Sequence, residues 1–155
     1  MDSAERQLLI ATYVEGPSLV ANAVQGLSDW ELDRRPADGS WTARMVVHHL
    51  ADSETMSAIR LRRLVAEDNP LIIGYDEELW SKMVYYNRPI AGSLAAMRNA
   101  REMSAEILAC LSEDEWKRSG THNESGHYAI ETWLEIYAAH GRDHANQILQ
   151  VLGRR

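Results

Sequence analysis

Two histidines, His140 and His144, stand four residues apart in a stretch whose apolar residues recur at alternating spacings of three and four. This periodicity predicts a helix that carries both histidines on its core-facing stripe. The apolar members of the stripe are Trp133, Ile136, Tyr137, Ile148 and Val151. Side chains four apart on a helix point the same way, with Cβ atoms about 5–6 Å apart. Both imidazoles can therefore reach one metal ion.

A third candidate ligand lies in the apolar segment Val46–Leu50, which contains His48 and His49. Neighbouring residues on a helix diverge by about 100°, so only one of the two can face the same site. His49 shares its predicted face with Ser53, whereas His48 is expected to pair with Asp52 at the surface. Spacing alone leaves both histidines as candidates. The alternative is a purely structural role, but several imidazoles on buried stripes would each need a polar partner.

Carboxylates near these histidines are weaker candidates for chemistry. Glu54 could serve as an occasional ligand or as a base, and Asp76 could act in a proton shuttle. Asp143 precedes His144 directly and so points away from it, which favours a solvated role. Cys110 ends an apolar helical segment and is expected to be a buried, inert thiol.

Composition limits the classes of function. The 155 residues are 45% hydrophobic and 25% charged, which is typical of a globular protein, and they are predicted to form one domain, 1–155. With 16 basic and 23 acidic side chains, the net charge of −7 argues against nucleic-acid binding. No apolar run approaches 18–20 residues, and residues 1–10 lack the pattern of a signal peptide. We therefore expect no membrane attachment and a cytoplasmic location.

Apolar periodicity predicts an all-α protein with four helices, at about 4–27, 43–66, 94–111 and 130–152. Gly16-Pro17 is expected to bend or interrupt the first helix, and Leu8 is expected in its core. Thr42, with Ser40 as a competing choice, is the predicted N-cap of the second helix, and Ser93 that of the third. A four-helix bundle is the natural architecture for such elements.

The connections carry further signals. The segment 68–92 between the second and third helices is long for a compact domain, so it is expected to cover something or to act as a lid. A short helix is predicted within it at 76–84. Its length permits a crossover in which the second and third helices run parallel. The polar segment 112–128 is predicted to hold a hairpin, with His122 and His127 exposed. Trp30, Trp41 and Trp116 are expected to be packing residues.

Several short motifs resemble those of one known family, the DinB/YfiT-like superfamily. They are SWTAR at 40–44, HHLADSE at 48–54, PLIIGYDEELW at 70–80 and HGRDH at 140–144 followed by Gln147-Ile148. The segment 70–80 is particularly similar to the YfiT branch, whose members are described as metal-dependent hydrolases. The four motifs occur in the same order and at similar separations as in that family, and the resemblance covers nearly the whole chain.

This resemblance implies a four-helix bundle with a long crossover, often dimeric, that binds a divalent metal through three histidines. By motif position those ligands are His49, His140 and His144. Some relatives carry further histidines where this chain has Glu54, Arg142 and Asp143. Any role of those extra histidines therefore does not transfer.

Three neutral imidazoles would leave an open position on the metal, as in catalytic zinc sites. One scheme is hydrolysis, in which water activated by the metal attacks a small electrophile such as an ester or amide. The other is thiol transfer, in which the metal holds a low-molecular-weight thiol, as in superfamily members that use bacillithiol or mycothiol. An acceptor site for that transfer could be lined by four side chains, Met56, Tyr75, Trp80 and Trp133.

A non-catalytic metal-binding or sensor protein is the alternative. Zinc is the default metal and nickel is compatible with the same donors. We also expect the chain to form a homodimer and to act on a small-molecule substrate.

Overall fold

The computed structural model describes residues 1–154, in which four long helices are joined by short helices and strands. The elements in chain order are α1 (Ser3–Val24), α2 (Asp29–Leu32), α3 (Ala43–Ala66), β1 (Leu71–Ile72), α4 (Glu77–Ser81), a 3-10 helix (Val84–Asn87), α5 (Ala91–Cys110), α6 (Glu113–Trp116), β2 (Ser119–His122), β3 (Gly126–Ala129) and α7 (Ile130–Val151). The long helices α1, α3, α5 and α7 form a four-helix bundle, which confirms the predicted fold class.

Contacts along α1 and α7 show that these two helices run parallel. Arg6, near the start of α1, bonds to Glu131 at the start of α7. Nine residues further on, Glu15 pairs with Arg142, which lies eleven residues further along α7. The first and last long helices of the chain therefore lie side by side with the same direction.

The middle pair, α3 and α5, is also parallel. His48 contacts Ser93 near the start of α5, and Glu54 contacts Arg101 further along both helices. In contrast, α3 and α7 are antiparallel. His49, early in α3, lies beside His140, whereas Ser57 lies beside the earlier residue Trp133. The segment between α3 and α5 is thus the predicted long crossover.

The first helix is continuous through Gly16-Pro17, so the predicted interruption is wrong. Pro17 has no N–H to donate to the carbonyl of Tyr13, one turn earlier. The guanidinium of Arg101 donates to that carbonyl instead. Gly16 makes room for this contact, because a Cβ there would overlap Arg101 Nη1. A side chain from a distant helix therefore supplies the hydrogen bond that proline removes.

The predicted start of α3 is confirmed and that of α5 is wrong. Thr42 caps α3 by accepting a hydrogen bond from the backbone N–H of Met45. The helix α5 begins at Ala91, three residues after Arg88, and Ser93 lies inside it. The Ser93 hydroxyl bonds to His48 rather than to the helix backbone.

The crossover folds over one side of α3. It contains α4, which Asp76 caps by accepting from the N–H of Leu79, and the 3-10 helix. A helix was predicted over 76–84, and the structure divides this region between those two short elements. The strand β1 pairs in parallel with β2, which pairs antiparallel with β3. The predicted hairpin in 112–128 is therefore present, and it anchors the start of the crossover.

The core consists of two apolar clusters separated by a polar layer. One cluster surrounds Trp133 and the other surrounds Leu50. Between them lie Glu54 and Arg101, which are almost fully buried. The histidine-bearing stretches of α3 and α7 are at the level of this layer.

Several predicted burials are wrong. Leu8, Ile136 and Trp30 are exposed, and so is Cys110. For Leu8 and Ile136, apolar periodicity did not resolve which edge of the helical stripe faces solvent, whereas Trp30 lies in the four-residue helix α2 and Cys110 is the last residue of α5. Within residues 1–154 no helix is both long and apolar enough to cross a bilayer.

Candidate metal centre

Three imidazoles converge at the seam between α3 and α7. The Nε2 atom of His140 lies 3.1 Å from Nε2 of His144 and 3.3 Å from Nε2 of His49. The donor atoms of the three residues all lie within 4.8 Å of one another. The structure thus brings together the three histidines that the family motifs single out, with the same nitrogen of each ring turned inward.

The helices explain why these rings meet. His140 and His144 lie one turn apart on α7, so they present adjacent rings to α3. His49 faces them from the second turn of α3, a helix whose register is set by the Thr42 cap. His49 is buried, and the two α7 histidines are half-buried. The opening of the cluster is therefore on the side of His140 and His144.

Gln147 fixes the orientation of one ring. Its Oε1 atom lies 2.6 Å from Nδ1 of His144, one turn along α7. An N–H at Nδ1 that donates to this oxygen leaves the lone pair of the ring on Nε2, toward the cluster. Metal-ligating histidines commonly have such a partner on the other nitrogen. Sequence reasoning did not assign Gln147 a role, although its spacing of three from His144 could have indicated one.

Burial keeps all three rings neutral. Desolvation, with further repulsion from His144, lowers the pKa of His49 to about 3. Desolvation, with further repulsion from His144, His49 and Arg101, lowers the pKa of His140 to about 2. The pKa of His144 is also lowered by burial, while its contact with Gln147 opposes that change. Neutral imidazoles are the form that binds metal ions.

The donor set fits a divalent ion. Tetrahedral zinc with Zn–N bonds of about 2.0–2.1 Å separates its nitrogen ligands by about 3.3–3.4 Å, close to the Nε2 separations here. Hydrogen bonds among the rings are a poorer explanation for this geometry. A neutral imidazole has one N–H and one lone pair, so a ring that donates from Nε2 has its lone pair on Nδ1, facing away from the cluster. Unlike Nδ1 of His144, Nδ1 of His49 and of His140 are buried without a hydrogen-bond partner in the described part of the chain.

His48 occupies a different site from the one predicted. It is fully buried rather than exposed, with Nδ1 2.8 Å from the Ser93 hydroxyl and Nε2 3.0 Å from the carbonyl oxygen of Arg88. Asp52, its expected partner, instead accepts a hydrogen bond from Tyr86. The surface pairing is therefore wrong, because the crossover covers this side of α3.

The two carboxylates considered for catalysis are engaged elsewhere. Glu54 accepts from Arg101 at 2.6 Å, and its other oxygen accepts from the hydroxyls of Tyr13 and Ser57. Desolvation raises the pKa of this carboxyl, and the guanidinium opposes the rise. Asp76 is exposed and caps α4. Neither belongs to the histidine cluster found within residues 1–154, and Asp143 is exposed, in line with its predicted solvated role.

One side chain, Trp41, connects the cluster with a nearby groove. The indole of Trp41 lies against the His49 ring, with 4.9 Å between ring centroids. Trp41 also lines a groove of about 420 Å³ between the start of α3 and the crossover. The groove combines apolar and basic side chains, among them Met45, Tyr86, Arg35 and Lys82. Trp41 was expected only to be a packing residue, and nothing in its sequence context indicated that it would also line a groove.

The four residues proposed as an acceptor site do not all line one. Trp133 is fully buried, and its Nε1 donates to the carbonyl of Ser57 in the core, so its inclusion is wrong. Tyr75 and Trp80 contact each other as tilted rings, with centroids 4.6 Å apart, and Met56 is half-buried.

His122, expected to be exposed, is buried in β2. The exposed position of His127 agrees with the prediction.

Comparison with known proteins gives one consistent result. A model of the DinB superfamily matches residues 12–148. A relative from Oceanobacillus iheyensis, named "Putative metal-dependent hydrolase OB0782", is 37% identical over 90% of this chain and 81% of its own length. "Putative metal-dependent hydrolase YfiT" of Bacillus subtilis is 34% identical over 94% of this chain and 83% of its own length.

The solved structure of YfiT from Bacillus subtilis matches the whole bundle. It superposes with a TM-score of 0.91 and 29% identity, covering 100% of this chain and 91% of that chain. That protein is described as "a probable metal-dependent hydrolase with an unusual four-helix bundle topology". The similarity therefore extends to the crossover as well as to the four long helices.

Proposed function

This chain belongs to the DinB superfamily, and on that premise we propose that it is a divalent-metal-dependent hydrolase of a small electrophilic substrate such as an ester or amide. The observation that carries the proposal is the convergence of three neutral Nε2 atoms. Within residues 1–154 no carboxylate or thiolate completes that group. Three protein ligands with an open position are typical of catalytic rather than structural zinc sites.

His49, His140 and His144 would hold the ion, and the surrounding residues keep their rings oriented and neutral. Gln147 keeps the lone pair of His144 directed inward. The burial of His49 and His140 keeps both rings unprotonated well below neutral pH. When bound, a divalent ion supplies a Lewis acid and lowers the pKa of water to about 7. Zinc is our proposed metal, and nickel suits the same donors.

The groove beside Trp41 is our proposed site for the organic part of the substrate. The indole of Trp41 contacts His49 and also lines the groove, so this one side chain connects the groove with the His49 side of the cluster. Met45 and Tyr86 offer apolar surface, and Lys82 offers charge although it is paired with Glu78. A pocket with an apolar lining and a few polar groups suits a small organic molecule.

Thiol transfer is the second candidate, and one observation favours it. Hydrolysis requires a group that accepts a proton, and both oxygens of Glu54 are already committed to hydrogen bonds. Transfer from a thiolate to an acceptor that releases a halide such as chloride needs no proton on the leaving group, whereas an amine or alcohol released by hydrolysis does. The same metal site would then hold the sulfur of a low-molecular-weight thiol.

One set of assays separates these functions. Protein purified without a nickel column and loaded with zinc is tested against a panel of esters and amides, and against chlorodinitrobenzene with and without a thiol. His49→Ala is the inactive variant, and His127→Ala, an exposed histidine on β3, is the matched control. We expect metal-dependent hydrolysis that His49→Ala abolishes and His127→Ala retains. Activity only with a thiol would assign the transferase, and activity in neither assay would reject an enzyme in favour of a metal-binding or sensor protein.

A further inference from the structure

Some buried polar atoms in the bundle have no hydrogen-bond partner among the described residues. Within residues 1–154, six buried side-chain nitrogen or oxygen atoms lack a hydrogen-bond partner. Two are Nδ1 of His49 and His140, and two more belong to Arg60 and Tyr75. Arg60 has other hydrogen bonds, but the Tyr75 hydroxyl has no partner in the described residues. Buried hydroxyls are rarely left in this state, so a specific unpaired one requires an explanation.

The Tyr75 hydroxyl lies at the seam that contains the cluster. It lies near Ser53, which follows His49 by four residues on the same face of α3, and near Tyr137, with the carboxylates of Glu77 and Asp52 also close enough to affect its pKa. The Tyr137 ring in turn contacts the ring of His140 edge-on, at 6.0 Å between centroids. The crossover thus brings this hydroxyl close to the turns of α3 and α7 that adjoin His49 and His140, although Tyr75 itself is far from them in sequence.

The surrounding structure holds Tyr75 in this position. Its ring contacts that of Trp80 in α4 at an interplanar angle of 46°. The guanidinium of Arg60 donates to the carbonyl of Ile73 at 2.8 Å and to the Tyr137 hydroxyl at 2.9 Å, which ties the crossover to α7. The N–H of Gly74 donates to Asn123 at 2.8 Å. These contacts fix the backbone on the N-terminal side of Tyr75, so its hydroxyl is presented by a braced segment.

We propose that Tyr75 is a catalytic residue whose hydroxyl donates a hydrogen bond to the substrate oxygen on which negative charge develops. This inference rests on the proposed metal-dependent function. Burial raises the pKa of Tyr75 above its ordinary value, so the group is a donor rather than a base. The proton stays on tyrosine throughout. A preorganised donor of this kind stabilises a transition state because it needs no reorientation during the reaction.

The test uses two matched variants of one segment. Tyr75→Phe removes the hydroxyl in question, and Tyr85→Phe removes that of a half-exposed tyrosine ten residues later. Both are compared with the unmodified chain after loading with cobalt(II), whose visible absorption reports ligands at the metal. The probe is acetohydroxamate, which presents an anionic oxygen. Metal content, thermal unfolding, probe affinity and the kcat and KM of any hydrolysis are measured.

We expect Tyr75→Phe to bind cobalt fully and to unfold at the same or a higher temperature, because the lost hydroxyl had no partner. Its affinity for acetohydroxamate should fall about tenfold or more, and kcat should fall more than KM rises. Tyr85→Phe should match the unmodified chain. Equal probe affinity in Tyr75→Phe, or loss of metal or stability in it, would overturn the role of Tyr75 alone. Failure of the unmodified chain to bind cobalt or the probe would overturn the proposed function together with it.

Discussion

Glu54 and Arg101 form an ion pair of 2.6 Å in which both side chains are almost fully buried. Arg101 also donates to the carbonyl of Tyr13 in α1 and to that of Tyr137 in α7. One guanidinium therefore connects all four long helices at the layer between the two apolar clusters. Because Tyr137 precedes His140 by one turn, this network also helps to set the position of the helix that carries two of the histidines.

Breaking this pair should destabilise the bundle strongly. Glu54→Gln or Arg101→Met leaves one buried charge without its partner, which costs about 3–5 kcal/mol. Urea unfolding followed by circular dichroism measures the change. The double variant Glu54→Gln/Arg101→Met should lose less than the sum of the single losses, because it leaves no unpaired charge. Single losses below about 1 kcal/mol would contradict this account.

The close approach of α1 and α7 depends on Gly141. A Cβ at this position would lie 2.9 Å from the Cα of Gly16 and 3.0 Å from Nη1 of Arg101. Gly141→Ala should therefore cost about 1–3 kcal/mol through overpacking. Gly92→Ala is the matched control, since a Cβ there has no neighbour within 4 Å among the described residues. Thermal unfolding should show the control to be unchanged or more stable, and equal effects of the two substitutions would refute the packing argument.

The two α7 histidines should be indispensable for metal. His140→Ala and His144→Ala each remove one converging nitrogen, so each should abolish stoichiometric zinc after dialysis. Gln147→Ala should retain the site but weaken its affinity about 10–100-fold, the usual effect of losing the partner of a ligating histidine. Elemental analysis and competition with a chromophoric chelator measure these effects. Full zinc retention in either histidine variant would reject the proposed ligand set.

The neighbouring residues His48 and His49 should behave in opposite ways. His49→Ala should lose metal, because its Nε2 faces His140. His48→Ala should keep metal but lose about 1–3 kcal/mol of stability, because it removes the ring that contacts both the Ser93 hydroxyl, which keeps only its contact with the Arg88 guanidinium, and the carbonyl oxygen of Arg88. Zinc titration together with urea unfolding of both variants tests the contrast. The reverse ranking in metal affinity would reassign the third ligand to His48.

The metal-free protein should lose stability as the pH falls from about 6.5 toward 5. The pKa values of His49 and His140 lie at about 3 and about 2 in the folded chain, against about 6.5 when unfolded. Below pH 6.5 the unfolded state therefore binds protons that the folded state does not, and each histidine lowers stability by up to about 1.4 kcal/mol per pH unit. Urea unfolding in the presence of a chelator, at pH 7, 6 and 5, gives the slope.

Replacing the titrating groups provides the control for this pH dependence. His49→Gln/His140→Gln should show a smaller slope between pH 7 and 5, since glutamine does not titrate. A slope identical to that of the unmodified chain would show that other groups are responsible.

Much of the fold was accessible from local patterns. The bounds of α3, its Thr42 cap and the hairpin at 119–129 follow from apolar spacing and turn chemistry, which act over a few residues. The shared face of His140 and His144 follows from helical geometry alone. His49 was distinguished from His48 by its place in the family motif, not by spacing.

The predictions from sequence were wrong where the outcome depends on a residue far away in the chain. Pro17 does not break α1 because Arg101, far along the chain, replaces the missing donor. Ser93 does not cap α5 because His48 takes its hydroxyl. Leu8 and Ile136 occupy positions at the edges of helical stripes, and their exposure depends on which neighbouring helix covers which edge.

By itself, the sequence determined four amphipathic helices, their approximate ends and a pair of imidazoles on one helix face, because these properties depend on residues within a turn or two of each other. Only the tertiary structure decided that His49 meets that pair, that Glu54 is committed to Arg101 and that the crossover brings Tyr75 to the same seam. The reason is physical: the antiparallel register of α3 and α7, and the path of the crossover over α3, are set by packing between segments that lie far apart in the chain.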